Sequence, residues 1–300
     1  MDKGKELVAL SQNLPSKSLP TYDKGAWTGL KLILEKYYLK TYLDILGRNT
    51  RVGYVDLFAG PGLNLIGDEK VPIPGSPLIP IMLPESKQRF SSYIFSDTDK
   101  NYVKALRERV RLARHDVSGT VNIMSKDANL VVDDLPKLLE EERIGHCFVF
   151  IDPEGMEFKW ESLQKLVRDV RCDLIINFPS SGIQRNLHNP STTRSVAEFL
   201  GPGTNHIPAS ADERWAIEMY RANLRRIGKD ISTEIEVRSG STFHYHLIPA
   251  VRKTYGGSPW FFRVFVEAKK KIERLSGEVL DIVAAQIEGK MRTIGNYVVE

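Results

Sequence analysis

Short apolar runs alternate with amphipathic stretches along much of this chain. The apolar runs predict β-strands at residues 53–58, 92–95, 120–124, 147–151 and 172–176. Between the second and the fifth run, apolar residues recur at helical spacing over residues 99–114, 129–142 and 158–170. Strands that alternate with helices indicate a parallel, doubly wound sheet, because each helix returns the chain to the same edge.

A less regular segment precedes this alternation. Residues 1–22 contain Pro15 and Pro20 among polar residues, and we expect a flexible lead-in there. A helix is then predicted from about residue 23, and its apolar stripe consists of Leu30, Leu34, Tyr37, Leu39, Tyr42 and Leu46. Residues 23–300 are predicted to form one domain.

The segment after the fifth strand departs from the alternation. A polar loop and two helical patterns, near residues 192–200 and 212–227, occupy the region of about 180–238. Two longer strands, at 243–251 and 260–268, are separated by a turn-rich linker and predict an antiparallel hairpin. An amphipathic stretch follows over residues 270–287. The pattern therefore predicts an α/β, Rossmann-like fold: a seven-stranded, mostly parallel sheet with one antiparallel strand and a helical insertion between strands five and six.

The composition is that of an ordinary globular protein, with 42% hydrophobic and 27% charged residues. Lys and Arg number 42 against 38 Asp and Glu, and the resulting net charge of +4 permits a nucleic-acid partner without demanding one. Cys147 and Cys172 begin apolar runs, which indicates buried thiols rather than a disulfide framework. The sequence shows neither an apolar leader nor an apolar run long enough to cross a bilayer, so we expect a cytoplasmic protein without membrane contact.

A glycine-rich loop at residues 56–62, with the sequence DLFAGPG, follows the first strand. Ligands of open α/β sheets bind beyond the carboxyl ends of the strands, where glycines let the backbone approach closely. A phosphate loop would continue with Lys and Ser or Thr, and a dinucleotide loop would place a small residue at the position of Leu65. A nucleoside without phosphates, such as S-adenosylmethionine (SAM), is the remaining interpretation. Its predicted ligands in the loop are Asp56, Phe58, Ala59, Gly60 and Gly62.

Acidic residues follow the second and third strands. Asp97, with Thr98 beside it, is suited to accept hydrogen bonds from both hydroxyls of a ribose. Asp127, with Ala128 beside it, is suited to accept one from the exocyclic amine of adenine. Asp99 and Asp127 are also well placed to cap the helices that begin there, so this structural interpretation stands beside the functional one.

The ends of the fourth and fifth strands carry the residues best suited to chemistry. Asp152 directly follows an apolar run, and Pro153 fixes the backbone next to it. A rigidly held carboxylate can orient a nucleophile beside the methyl group of the cofactor, and Glu154 is suited to act as a base. Asn177 adds an amide after the fifth strand. We predict Asp152, Asn177 and Glu154 as the catalytic residues of a SAM-dependent methyltransferase.

The ordered set of motifs resembles the three-Cys-motif partner protein (TcmP) family over roughly residues 24–270. The resemblance is carried by the loop at 56–62, GSPL at 75–78, FIDPEG at 150–155, INFP at 176–179, Lys31, Tyr37 and YHL at 245–247. It implies a class I methyltransferase fold and, as a partner, a radical-SAM-like protein with a three-cysteine motif.

The DPEG sequence at residues 152–155 also resembles the Asp/Asn-Pro-Pro-Tyr motif of amino-group methyltransferases of nucleic acids. Glu154 and Gly155 replace its last two residues, so the aromatic ring that stacks on a flipped base is missing there. Phe158 or Phe178 is the expected substitute.

Two further groups of residues are weighed for binding. Basic residues gather at 104–114, 221–229 and 269–274, where solvated helix faces are expected unless two of the groups share a face with the cofactor pocket and bind a phosphate backbone. His244 and His246 share one face of a strand, and a partly buried pair is expected rather than a metal site.

Three functions are compatible with these patterns. The first is a SAM-dependent methyltransferase acting on a nucleophilic group of a nucleic acid or a protein. The second is a non-catalytic subunit that retains the fold and serves the radical-SAM-like partner. The third is a nucleotide-dependent dehydrogenase, against which Leu65 argues. An enzyme requires an open cavity between Asp152 and the cofactor, whereas a pure partner does not.

Overall fold

A computed structural model describes most of the chain. The described residues are 8–11, 13–25, 27–46, 50–67, 70–83, 88–113, 119–204, 206–239, 243–254, 264–267 and 269–270. Within these ranges, no helix has the length and apolar character that a membrane span needs.

The elements follow one another in an alternating order. They are β1 (Tyr22–Lys24), α1 (Trp27–Leu46), β2 (Val52–Asp56), β3 (Leu63–Ile66), β4 (Val71–Pro74), α2 (Leu78–Ile81), β5 (Ser92–Asp97), α3 (Lys100–Ala113), β6 (Thr120–Ser125), α4 (Ala128–Glu141), β7 (His146–Ile151), α5 (Trp160–Asp169), β8 (Cys172–Phe178), α6 (Ser180–Asn186), α7 (Thr193–Leu200), α8 (Glu213–Arg226), β9 (Ile231–Ser232), β10 (Ile235–Ser239) and β11 (Phe243–Val251).

The main sheet confirms the predicted fold class. Seven strands lie in the order β6-β5-β2-β7-β8-β11-β10, and the short β9 pairs with β11. The five strands from β6 to β8 are parallel, and β11 runs antiparallel to both of its neighbours on this path. This is a Rossmann-like sheet with one reversed strand, and helices α6 to α8 form the insertion between its fifth and sixth strands.

Two helical layers cover the sheet because its central strands are apolar on both faces. In β7, Phe148 and Phe150 pack into the layer that contains α1, whereas Cys147, Val149 and Ile151 pack into the layer formed with helices α4 to α8. This alternation is the period of two expected of a strand. Because the five strands are parallel, their carboxyl ends lie at one common edge of the sheet. The acidic residues predicted at the strand ends are brought together at this edge.

The closing hairpin lies earlier in the chain than predicted. Its strands are β10 and β11, so the strand predicted at 243–251 is the second strand of the hairpin and not the first. Residues 264–267 are helical, which corrects the strand predicted at 260–268, while 260–263 and 268 lie outside the described residues. Ile235 and Val237 of β10 are buried. Most of this strand falls within the region of about 180–238 that the sequence predicts to be a helical insertion. The amphipathic stretch at 270–287 also lies outside the described residues, apart from its first residue.

The amino-terminal part differs from prediction as well. Helix α1 begins at Trp27, and Tyr22–Lys24 form a strand instead of the predicted first helical turn. This strand pairs with β3, and β3 pairs with β4, in a small separate sheet that follows the glycine-rich loop. Tyr37, assigned to the apolar stripe of the helix, is 48% exposed. The division into a lead-in at 1–22 and a domain at 23–300 stays a prediction.

Candidate cofactor site

A cavity of about 270 Å³ opens at the carboxyl edge of the parallel strands. It is lined by residues that follow four of the strands and by residues of β1, α1 and the small sheet. The predicted residues among them are Phe58, Ala59, Gly62, Asp97, Thr98, Asp127, Ala128, Asp152 and Glu154. One continuous cavity therefore joins the residues predicted to hold the cofactor to the residues predicted to hold the nucleophile.

The glycine-rich loop turns sharply beneath this cavity. Gly60 and Gly62 have φ angles of +58° and +81°, in the left-handed region that favours glycine. A Cβ atom on Gly60 would lie 2.4 Å from the ring of Tyr22, so only glycine permits this close approach. The loop is fixed to the next strand, because the Ala59 N–H donates to the Ser96 carbonyl at 2.9 Å.

Asp97 connects the second strand to the loop. Its Oδ2 accepts a hydrogen bond from the Gly60 N–H at 2.9 Å, and its Oδ1 accepts one from the Asp99 N–H at 2.8 Å. Burial raises the pKa of Asp97, and these two N–H groups partly offset that effect. A carboxylate has about four acceptor positions, so Asp97 retains capacity for the hydroxyls of a ribose.

Asp127 has the structural role that competed with its predicted function. Its Oδ1 accepts a hydrogen bond from the Asn129 N–H at 2.8 Å and caps α4. Asp99 accepts from the Asn101 N–H at 2.7 Å at the start of α3 in the same way. Asp127 nevertheless lines the cavity, so capping and contact with a ligand are compatible there.

Asp152 is held by two donors from different elements. Lys31 of α1 donates to its Oδ2, and the Asn177 amide of β8 donates to its Oδ1 at 2.7 Å. The Lys31 and Asp152 side chains are only 12% and 18% exposed. Asn177 does not line the cavity and contacts it only through Asp152, so its predicted catalytic role stays a prediction. Its own Oδ1 is buried and has no hydrogen-bond partner within the described part of the chain.

Glu154 lies at the rim of the cavity. Its side chain is 71% exposed and forms an ion pair with Lys24 at 3.0 Å. An exposed carboxylate can exchange protons with solvent, which is compatible with the predicted role of a base.

Two buried carboxyl groups lie behind the cavity wall. Asp56 is fully buried, and its Oδ1 accepts from the Phe58 N–H at 3.1 Å. Burial raises the pKa of Asp56 to about 7, and the charge of Asp152 adds to this effect. Glu35 of α1 accepts from the Tyr54 hydroxyl at 2.6 Å, and burial raises its pKa well above the usual range.

The sequence did not identify several residues of the site. Tyr22 and Lys24 line the cavity from β1, and Lys126 and Glu157 line it from the loops after β6 and β7. Tyr22 and Lys24 precede the first strand of the main sheet, so no motif at a strand end pointed to them. Only the TcmP resemblance points to Lys31.

The aromatic residues expected to replace the missing stacking ring are not available for that role. Phe158 and Phe178 are 2% and 0% exposed and belong to the core on the α4–α8 side of the sheet. Phe178 packs against Phe199 and Tyr220, with ring centroids 5.5 and 5.4 Å away. This corrects the prediction, since the aromatic side chains lining the cavity are Phe58 and Tyr22.

The histidine pair and the basic groups have local partners. His244 Nε2 lies 2.6 Å from Glu213 Oε2, and His246 Nδ1 lies 2.6 Å from Ser180 Oγ. The basic residues at 104–114 do not all lie on a solvent-exposed helix face, because Arg109 is fully buried. Arg221 of the second group pairs with Glu234. Arg114, Lys271 and Arg274 lie outside the described residues.

Comparisons with known proteins give matches by structure only. No protein-family model matches the sequence, and no curated protein matches it either. The structure is similar to protein LPL1258 from Legionella pneumophila, with a TM-score of 0.50 and 14% identity over 83% of this chain and 92% of that one. It is also similar to Trm1 from Pyrococcus horikoshii in complex with S-adenosyl-L-methionine, with a TM-score of 0.47 and 13% identity over 80% of this chain and 58% of that one.

A third similar structure is the O-methyltransferase from Bacillus cereus in complex with SAH. Its TM-score is 0.41, with 11% identity over 84% of this chain and 91% of that one. At these identities the likeness concerns the fold alone.

Proposed function

We propose that this chain is a SAM-dependent methyltransferase. The observation that carries the proposal is the convergence of Asp97, Asp127 and Asp152 on one cavity that the glycine-rich loop also lines. Each carboxylate stands at the end of a different parallel strand, and all three line the same cavity. The continuous cavity between them favours an enzyme over a subunit that only binds a partner.

The residues of the cavity suit the chemical groups of SAM. The left-handed conformation of Gly60 and Gly62 makes the loop turn tightly, and Gly62 lines the cavity. The loop lacks the lysine that would neutralise phosphates. Asp97 is proposed to bind the ribose hydroxyls and Asp127 the adenine amine. The cavity is lined by five carboxylates and three lysines, and this excess of negative charge favours a cofactor that carries a positive charge.

At the other end of the cavity, Asp152 is proposed to orient the methyl acceptor. When bound, SAM supplies an electrophilic methyl group. Lys31 and Asn177 each hold one oxygen of Asp152, so its remaining acceptor positions have a fixed direction. A methyl acceptor that donates a hydrogen bond to Asp152 would be held with the lone pair of its nucleophilic atom directed towards the methyl group. Glu154 at the rim is proposed to take the proton that the acceptor releases.

The finer assignment is part of the same proposal. The ordered motifs that resemble the TcmP family support a radical-SAM-like partner, and the net charge of +4 is compatible with a nucleic-acid substrate as well as with a protein substrate.

Transfer of a labelled methyl group tests the catalytic part of this proposal. In separate reactions, the protein is incubated with methyl-labelled SAM and with total RNA, total DNA or total protein from cells. We expect label in one of these fractions and a loss of about 100-fold or more in Asp152→Ala, because the acceptor is no longer oriented. A Glu161→Gln variant, altered on α5 away from the cavity lining, is the matched control. Binding of SAM without label in any fraction would contradict catalysis.

A further inference from the structure

Lys229 places a fully buried ammonium group beside a cysteine. It follows α8, and its Nζ donates to the Cys172 carbonyl and lies 3.7 Å from the Cys172 Sγ. Within the described part of the chain, these are the only polar contacts of this ammonium group, so no carboxylate balances its charge. A buried charge without a counter-ion is very unfavourable. The sulfur of Cys172 is the neighbouring group that can supply the negative charge, as a thiolate.

A second thiol lies next to Cys172 in the sheet. Cys147 of β7 and Cys172 of β8 are partners in the parallel register, and both belong to the core on the α4–α8 side. Neighbouring strands lie roughly 4.7–4.9 Å apart, within the range of about 4.4–6.8 Å between the Cα atoms of a disulfide. The two cysteines are free thiols in the structure, and their backbone spacing permits a bond between them.

The two thiols differ in acidity. A hydrogen bond from the Cys147 thiol is the main cause that lowers the pKa of Cys172, and the charge of Lys229 adds to it, although burial opposes both. Burial raises the pKa of Cys147 well above its usual range. Since the thiolate is the nucleophilic form of cysteine, Cys172 is the thiol that reacts first, and Cys147 lies next to it as the resolving thiol.

A second cavity, of about 450 Å³, opens at the amino edge of the parallel strands, away from the candidate cofactor site. It lies between the carboxyl ends of α4 and α5, and Cys147 is one of its lining residues. Both cysteine side chains are buried, which excludes bulky reagents, whereas hydrogen peroxide is close to water in size. The cavity therefore brings a small neutral oxidant to the Cys147 side of the thiol pair.

We propose that Cys147, Cys172 and Lys229 form a peroxide-sensitive dithiol centre, in which oxidation links β7 to β8 by a disulfide. The Cys172 thiolate attacks one oxygen of hydrogen peroxide, and the O–O bond breaks. The leaving hydroxide takes a proton from the Lys229 ammonium and departs as water, so Cys172 becomes a sulfenic acid and Lys229 a neutral amine. No net charge is left buried by this step.

The second step forms the disulfide. The Cys147 sulfur attacks the sulfur of the Cys172 sulfenic acid, the S–O bond breaks, and the thiol proton leaves with the hydroxide as water. The two sulfurs together lose two electrons, which peroxide takes up, and two water molecules are produced. The centre uses residues at the amino ends of β7 and β8, so it does not depend on the function of the cavity at their carboxyl ends.

Mass spectrometry after peroxide treatment tests the disulfide. The wild-type protein is treated with hydrogen peroxide at neutral pH, unfolded, and alkylated with iodoacetamide. We expect the monomeric chain to lose two hydrogen atoms, to take up no alkyl group, and to yield one cross-linked peptide pair containing Cys147 and Cys172. Alkylation of both cysteines after a treatment that fully oxidises free cysteine would overturn the proposal, and so would a disulfide between two chains.

Single variants test the order of the two thiols and the role of the lysine. In Cys147→Ser we expect dimedone to trap a sulfenic acid at Cys172, whereas Cys172→Ser should give little trapping at Cys147. Lys229→Met, with its fold checked by circular dichroism, should slow the oxidation of Cys172 by roughly tenfold or more, because the thiolate loses its counter-ion. Lys165→Met on the surface of α5 is the matched control and should leave the rate unchanged. Equal trapping in the two serine variants would contradict the assignment of Cys172 as the attacking thiol.

Discussion

The carboxylate of Asp97 accepts hydrogen bonds from a backbone N–H of the loop and from that of Asp99. In the proposed function it also binds the ribose hydroxyls of SAM. Asp97→Asn keeps the shape of the side chain but removes the charge and one acceptor. We expect SAM affinity to fall by roughly 10- to 100-fold, or ~1.4–2.8 kcal/mol, in calorimetry. Asp99→Asn is the matched control, because Asn caps a helix as well as Asp does. Equal affinities of the two variants would contradict the assignment.

The buried carboxyl group of Asp56 should make the free energy of unfolding depend on pH. Its pKa of about 7 in the folded protein exceeds the usual value of 3.8, so the folded state holds a proton that the unfolded state has lost between these pH values. The free energy of unfolding contributed by this group therefore falls as the pH rises from about 4 to about 7. Asp56→Asn cannot titrate, so its stability relative to wild type should improve from pH 5 to pH 8 in urea denaturation. A difference independent of pH would contradict the buried, protonated state.

At the scale of single residues, motifs in the sequence could locate only those residues of the candidate site that stand at the end of a strand. Asp97, Asp127 and Asp152 could be located because the carboxyl ends of parallel strands meet at one edge. Lys31 and Tyr22 reach the same cavity from elements before the first strand of the main sheet. Their approach depends on how α1 and β1 dock on the sheet, and no local pattern contains that information.

At the scale of elements, the ion pair between Lys31 and Asp152 joins α1 to the end of β7. Lys31→Met leaves a largely buried carboxylate with Asn177 as its remaining donor, and we expect a loss of about 1–3 kcal/mol in the free energy of unfolding. Adding Asp152→Asn should restore part of this loss, because no uncompensated charge remains. Urea denaturation of the double-mutant cycle measures the coupling. Strictly additive effects would show that the pair does not hold the helix to the sheet.

Asn223 connects two helices of the insertion. It is fully buried on α8 and donates to the carbonyls of Leu200, the last residue of α7, and Pro202 just beyond it, both at 2.9 Å. Asn223→Ala leaves both carbonyls without this donor, and we expect a loss of about 2 kcal/mol in thermal or urea unfolding. The exposed neighbour variant Arg225→Ala should change stability by less than about 0.5 kcal/mol. A similar effect of the two variants would contradict a connecting role for Asn223.

Elements were predictable where their patterns were long and apolar. The five parallel strands and their connecting helices follow from apolar runs such as Phe148–Ile151. The small sheet was missed because β3 and β4 are short and β4 contains Pro72 and Pro74, which are unusual in strands. β10 was missed because Glu236 and Arg238 alternate with its two buried residues inside a polar region. Short strands are thus fixed by their partners in the sheet and not by their own composition.

For the molecule as a whole, the strand order β6-β5-β2-β7-β8-β11-β10 accounts for where the site is. From β2 the chain adds β5 and β6 on one side and then β7 and β8 on the other, and ligands of such sheets bind where the strand order switches sides. The glycine-rich loop leaves β2 at this point, with Asp97 from the strand on one side and Asp152 from the strand on the other. The fold therefore explains the convergence of residues that are far apart in the sequence.

Calorimetric titration of the purified protein with SAM tests the central claim most directly. The account predicts saturable binding of one SAM per chain, with a Kd on the order of micromolar. The absence of saturable heat with the wild-type protein at millimolar SAM would contradict it.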